Sequence, residues 1–371
     1  MKRLPTTQAA TSKLGRVQEF FAEYVEPFCH RLAELDAQID PTKEPEPDDV
    51  FHRRVLEAFQ ASQEACRRFE EQNKQDPTVI LDVQEGFRKR TEPWFKLSWI
   101  ANRARTKPSG FPGDYDMLIK LYDEATPARG LGGYLDLCIL DLPLARAVRA
   151  RLAEARKVLI REIQARTTDV RVLDIACGPC REYLDWPLDE ATRSVEIVAL
   201  DSDPQAIAYA DQQVAAQLAG STTLRAVRYN ALRTRSAKAT IRKFGKFDVL
   251  YSVGLCDYLS DEHLVPMLRA WRETLSDGGL MLVAFKDTER YDKTPYQWHL
   301  DWFFFQRTVS DVLQLYRDAD FDTERMTMTR DATGIIVNFV DRRPQRRTRI
   351  DSPEGLAGPV GESNVSDRAS E

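Results

Sequence analysis

Two apolar runs, each stopping at a polar tip, constrain this chain more than anything else in it. The first, Val170 to Ala176, is rich in β-branched residues and long enough for one buried parallel strand. It breaks at the turn Cys177-Gly178-Pro179, and a helix can open from Arg181. A strand that ends in a small-residue turn before a helix brings bare backbone N–H groups close to a ligand. The second run, Val195 to Leu200, ends in Asp201. An acid at the tip of the neighbouring strand is placed to accept both hydroxyls of a ribose. Together the two tips point to a nucleoside-bearing cofactor.

The loop Ala176-Cys177-Gly178-Pro179-Cys180 carries one glycine. A dinucleotide pyrophosphate needs several glycines in Gly-x-Gly-x-x-Gly so that the backbone can touch it. S-adenosylmethionine has no phosphate, so one close approach suffices, and Asp174 at the strand's end suits its ammonium group. The stretch resembles the first motif of class I S-adenosylmethionine-dependent methyltransferases, with Ala176 and Cys180 standing where glycines are usual. Two other readings share these residues. Cys177-Gly-Pro-Cys180 matches the active-site tetrapeptide of thioredoxins, where a helix N-terminus lowers a thiol pKa. Alternatively, two small residues simply fill a tight turn.

The order of elements downstream matches the same family. A helix is expected over Pro204–Leu218, a third strand over Leu224–Tyr229 and a fourth over Phe247–Val253. Leu264–Leu275 reads as a helix closed by Ser276-Asp-Gly-Gly279, followed by a strand over Leu280–Phe285. Asp311–Ala319 reads as a helix, and Phe321–Thr329 with Ile335–Val340 as a terminal antiparallel hairpin. Alternating strands and helices predict an α/β fold: a doubly wound, seven-stranded Rossmann-like sheet with a reversed last strand and an N-terminal helical domain. The resemblance implies that Asn230 faces the adenine amine. The expected cofactor residues are Asp174, Ala176, Gly178, Arg181, Asp201, Ser202, Asn230, Ala231, Ser252 and Val253. No metal-ligand set is read, since each histidine stands alone.

Ahead of the sheet, apolar residues recur at helical spacing from Lys13 to Leu35, from an Asp48 or Asp49 cap to Phe69, and from Pro77 towards Arg105. So much apolar face calls for a partner, either the catalytic domain or a second copy of the chain. Lys107 to Asp116 is a loop shaped by Gly110, Pro112 and Gly113. It is either a connector with Asp114 capping the next helix or a lid over the cofactor or acceptor. Gly130-Leu-Gly-Gly133 is expected to be a flexible break, and Leu135–Ala165 one helix, or two split at Pro143. Residues 1–133 then form the helical domain with its lid-like loop 107–116, residues 134–342 the catalytic domain, and 343–371 a disordered polar tail.

A narrower resemblance rests on Gly178-Pro-Cys-Arg181-Glu182, Gly110-Phe-Pro-Gly-Asp-Tyr115, and Leu300-Asp-Trp302 with Arg307. These look like bacterial proteins labelled 3-hydroxypalmitic acid methyl ester synthases, which implies a methyltransferase acting on a small fatty-acid-like carboxylate. Such an acceptor needs orientation rather than a base, and Arg181 and Arg307 are candidates to clamp it, with Tyr115 and Tyr258 as neutral donors. An amine or phenol acceptor would call instead on Asp257 or His299. The alternatives are transfer or cyclisation of the cofactor's aminocarboxypropyl chain, and a non-catalytic cofactor-binding subunit.

The net charge of −5 over 371 residues, with both signs interspersed, gives no electrostatic case for nucleic acid. No apolar run reaches membrane-spanning length, and Met1 to Gln8 lacks the apolar segment of a secretion signal. Six irregularly spaced cysteines suit a reducing cytoplasm. A homodimer through the N-terminal helices is expected.

Overall fold

The computed structural model describes residues 7–184, 194–218 and 220–345. Seven strands form one sheet: β1 (Val170–Ile175), β2 (Val195–Asp201), β3 (Thr222–Arg228), β4 (Phe247–Ser252), β5 (Leu275–Lys286), β6 (Thr327–Arg330) and β7 (Ile336–Arg342). Their order is β3-β2-β1-β4-β5-β7-β6. The first five run parallel, while β7 pairs antiparallel with both β5 and β6. This is the doubly wound sheet with a reversed last strand that the alternation predicted. The direction of the chain changes between β1 and β2 on one side and β4 on the other, so a crevice opens at the carboxyl ends of these strands.

The central strands β1, β2, β4 and β5 are buried on both faces, which is why they read as nearly continuous apolar runs. Leu173 and Ile175 of β1 point into one layer with Leu264, Leu268 and Trp271. Val170 and Val172 point into the other with Ala155, Leu159 and Ile163 of the helix Pro143–Gln164.

A third apolar core belongs to the N-terminal helices, Thr7–Phe20, Glu26–Gln38, Val50–Gln72 and Pro77–Phe95, and it continues through Leu131 to Val148. Asp49 caps the third of these by accepting from His52 N, at 2.7 Å. The partner for this apolar surface comes from the same chain. The aromatic segment after β5 sends Trp298 and His299 into it, against Phe20, Phe69, Phe87 and Phe59.

Several local expectations are corrected. The helix from Pro77 stops at Phe95, and a new one, Trp99–Thr106, starts because Ser98 caps it through Ala101 N. The expected helix Pro204–Leu218 is α-helical over Pro204–Tyr209 and continues as a wider π-helical turn, Ala210–Val214, and a tight 3-10 turn, Ala215–Gln217. Strand β5 begins at Leu275, with Gly278 and Gly279 inside it beside an irregular register against β4. Arg343 is not part of a loose tail: it donates to the carbonyls of Glu273 and Leu275 at 2.7 Å. The rest of the expected tail, from residue 346, lies outside the described residues, as do residues 1–6.

Gly130–Leu140 is a helix, not a flexible break, with Pro143 opening the next one. A Cβ on Gly132 would lie 2.1 Å from the Leu97 carbonyl oxygen, and one on Gly133 2.6 Å from that of Ala128. The glycines are there because two backbones touch. Gly132→Ala is therefore expected to cost roughly 2–3 kcal/mol by overpacking, seen as a lower denaturation midpoint. An unchanged midpoint would contradict this contact.

Candidate active site

Strand β1 ends against a loop held in an unusual backbone shape. Ala176, Gly178 and Cys180 all have φ between 52° and 60°, the left-handed region that favours glycine. The shape lets Gly178 N donate to Asp201 Oδ2 at 3.0 Å, while Asp203 N donates to Asp201 Oδ1 at 2.9 Å. Two backbone donors thus fix the carboxylate at the tip of β2, and burial raises its pKa from the usual carboxylate value. Asp203, which caps the helix Pro204–Tyr209 through Gln205 N, has its Oδ2 buried without a partner.

Above this loop lies a cleft of about 1290 Å³. Of the expected cofactor residues, Ala176, Gly178, Asp201, Ser202, Asn230, Ala231 and Val253 line it, and so do Tyr115 and Tyr258. Phe111 and Gly113 of the 107–116 loop form part of its wall. Asp114 caps the next helix through Met117 N and also binds Arg103, so the connector reading of that loop holds as well.

Other expected residues lie elsewhere. Asp174 is buried behind the cleft and accepts from Tyr251 Oη at 2.7 Å; burial and the nearby Glu182 push its pKa up. Ser252 Oγ ties β4 to β1 by donating to the Ile175 carbonyl at 2.8 Å. Arg181 turns away to Asp123. Asp257 is consumed by a buried ion pair with Lys286 at 2.5 Å. Arg307 is buried too, bound to Asp261 and to the carbonyl of Leu259 at 2.6 Å. It braces the loop after β4 rather than facing a ligand.

His299 is far from general-base duty. Its ring sits 4.9 and 5.0 Å from Phe59 and Phe87, with Nε2 2.7 Å from Ser62 Oγ. Burial lowers its pKa to about 3. The ring is neutral when folded and takes a proton on unfolding below its ordinary value. Its contribution to stability is therefore present above pH 6.5 and fades as pH falls towards 3. This one group should remove about 1 kcal/mol between pH 6 and pH 5, and a proton NMR titration should find one of the four histidines silent from pH 8 to 5.

Residues that the sequence reading passed over complete the wall: Glu182, Tyr122, Tyr229, Asp203 and Arg151. Arg151 had a legible signal. It falls in the apolar stripe Leu144, Val148, Ala155, Leu159 of its helix, where a charged residue is costly unless it has a task. Its Nε is buried without a partner.

S-adenosylmethionine fits this cleft. Asp201 and the unpartnered Asp203 oxygen offer acceptors for ribose hydroxyls, Ala206 and Leu232 offer apolar surface, and Glu182 offers an anion. Asp201→Asn keeps the size and removes the charge. It should weaken S-adenosylhomocysteine binding by about tenfold or more in calorimetry; unaltered affinity would take Asp201 out of the site.

A possible exported protein from Bordetella parapertussis shares the fold, with a TM-score of 0.52 at 17% identity over 88% of this chain and 97% of that one. The CurJ carbon methyltransferase aligns over 91% of this chain and 94% of its own at 11% identity, TM-score 0.46. Magnesium protoporphyrin IX methyltransferase from Synechocystis, solved with S-adenosylmethionine bound, aligns over 54% and 83% at 14% identity, TM-score 0.39. No curated protein matches. Residues 172–279 match the family model described as a methyltransferase domain. That match runs from β1 into β5, through every strand tip that shapes the cleft, so residues 172–279 carry a methyltransferase domain.

Proposed function

We propose that the chain transfers the methyl group of S-adenosylmethionine to the carboxylate of a small, largely apolar acceptor of fatty-acid type. The observation that carries this is a second, smaller and mostly apolar chamber sharing Gly113, Leu118, Arg151, Gly254 and Tyr258 with the cofactor cleft. Its walls are mostly aliphatic and aromatic, among them Ile100, Leu121, Ile139, Leu300 and Phe304. The charged residues on its described wall are both cations, Arg151 and Lys286, and no acid, histidine or cysteine is among them. An apolar space whose only charges are positive suits an amphiphilic anion.

When bound, S-adenosylmethionine supplies a methyl group already activated by the sulfonium. The protein's task is then to align the acceptor and keep water out. Arg151, at the boundary of the two spaces, offers a charged N–H donor to a carboxylate. Lys286 is held by Asp257, whereas Arg151, which also acts on Glu182 and Tyr122, keeps its Nε buried without a partner. Tyr258 Oη accepts from Trp302 Nε1 at 2.8 Å and lies 3.5 Å from the Pro112 carbonyl, so its proton is loosely committed and can serve the acceptor. A carboxylate carries its own lone pair and requires no general base, in keeping with a wall that offers none.

No described helix is long and apolar enough to cross a membrane. All six cysteines are unpaired and buried, which supports a reducing cytoplasm as the place of work.

The test is incubation with methyl-labelled S-adenosylmethionine and medium- to long-chain hydroxy fatty acids, against amines and phenols of matched length. Label in a methyl ester, with S-adenosylhomocysteine as coproduct, is expected. Methylthioadenosine as coproduct would instead assign aminocarboxypropyl transfer. Arg151→Gln should lower kcat/KM for the acid by about tenfold to a hundredfold; an equal rate would remove Arg151 from acceptor recognition.

A further inference from the structure

Behind the cofactor cleft three oxygens crowd around one phenol. Tyr251 Oη lies 2.7 Å from Asp174 Oδ2, 2.7 Å from Glu182 Oε1 and 2.6 Å from Tyr183 Oη. A phenol has one hydrogen to give and otherwise only accepts. If Tyr251 donates to one carboxylate, the other carboxyl group must donate to Tyr251, and so must carry a proton. If Tyr251 donates to Tyr183 instead, both carboxyl groups must carry one. Every arrangement that satisfies these contacts leaves at least one of Asp174 and Glu182 neutral.

The surroundings favour that state. Asp174 and Glu182 are both buried, and burial is the largest influence raising each above its ordinary carboxylate value. Asp174 from β1 and Glu182 from the turn after it repel one another, and Asp201 at the tip of β2 adds a further negative charge to Asp174. The thiols of Cys177 and Cys180 face the same group; a hydrogen bond to Cys180 and then burial hold Cys177 above the ordinary thiol value, and burial holds Cys180 above it. The cation that opposes this is Arg151, from the helix Pro143–Gln164, which acts on Glu182 and is shared with Tyr122. Of the two carboxyl groups only Glu182 reaches the cleft wall; Asp174 stands behind it.

We infer that the Asp174–Glu182 pair stores a proton that is expelled to solvent when the ammonium of the cofactor's amino-acid tail arrives, with Glu182 as the group that receives it. The inference rests on the cofactor assignment and adds the atom that recognises the tail. One positive charge enters and one leaves, so the second carboxylate is ionised only when the ammonium is there to offset it.

The experiment is calorimetry with S-adenosylhomocysteine, which has the ammonium but no transferable methyl. It is run at pH 7 in buffers of different ionisation enthalpy, beside 5′-methylthioadenosine, which lacks the tail. S-adenosylhomocysteine should release up to one proton and methylthioadenosine measurably less. Affinity for S-adenosylhomocysteine should rise with pH, by as much as about tenfold per unit while the pair is protonated. It should fall again above about pH 8 as the ligand's own amine deprotonates. Glu182→Gln keeps the size, so thermal stability at pH 6 should not fall, while proton release disappears and affinity drops by about tenfold.

No proton exchange in the native chain, equal release with both ligands, or an unaltered pH slope in Glu182→Gln would each overturn the inference. Should Glu182→Gln not fold, the comparison of the two ligands on the native chain decides alone. Failure of both ligands to bind would sink the cofactor assignment itself, a result distinct from binding without proton release.

Discussion

One carboxylate holds the catalytic half together at its working end. Asp201 closes β2 by accepting from Gly178 N on one oxygen and from Asp203 N on the other. The first bond demands the left-handed backbone of the loop after β1; the second sets the start of the helix Pro204–Tyr209. Two strand tips, a loop and a helix therefore take their relative positions from a single side chain. Both oxygens keep lone pairs free, since each carboxylate oxygen accepts more than one bond. The group that organises the protein is thus still available to a ligand, and this double use explains why an acid is tolerated where nine-tenths of its surface is lost.

The sheet was readable because its central strands are buried on both faces and punctuated by turn residues, a pattern composed of local signals. The same holds for Asp201, Gly178 and Asn230, whose importance lies in being at strand ends. What could not be read was whatever depends on distant parts of the chain. Asp257 looks like a base until Lys286, on the neighbouring strand, neutralises it. His299 looks like an acid–base group until three helices from the other end of the chain surround it with four phenyl rings. Gly130 to Gly133 look like a hinge, because a glycine that admits a neighbouring backbone and a glycine that permits bending are the same letter.

Charged residues misled in a consistent direction. Arginines next to recognisable motifs, Arg181 and Arg307, satisfy carbonyls and carboxylates of the scaffold. The arginine that reaches both chambers sits in the middle of a helix with no motif around it. Its mark is positional, a cation in an apolar stripe. Glu162, further along the same stripe, shows the other outcome: it is fully engaged by Arg166 and Arg342. A misplaced charge in an amphipathic pattern therefore flags a buried polar contact, and only the structure says whether that contact is already made.

The segment after β5 serves two parts of the molecule at once. Within a few residues it delivers Trp298 and His299 to the socket formed by the N-terminal helices, and Leu300, Trp302 and Phe304 to the wall of the acceptor chamber. Plug and wall are successive links of one short tether. A chain severed at residue 133 would leave the plug without its socket, and the wall would lose its mooring with it. The amino-terminal third is thus no detachable accessory: it supplies part of the wall of the space in which an acceptor would lie, and its socket, out of reach of that space, moors the rest.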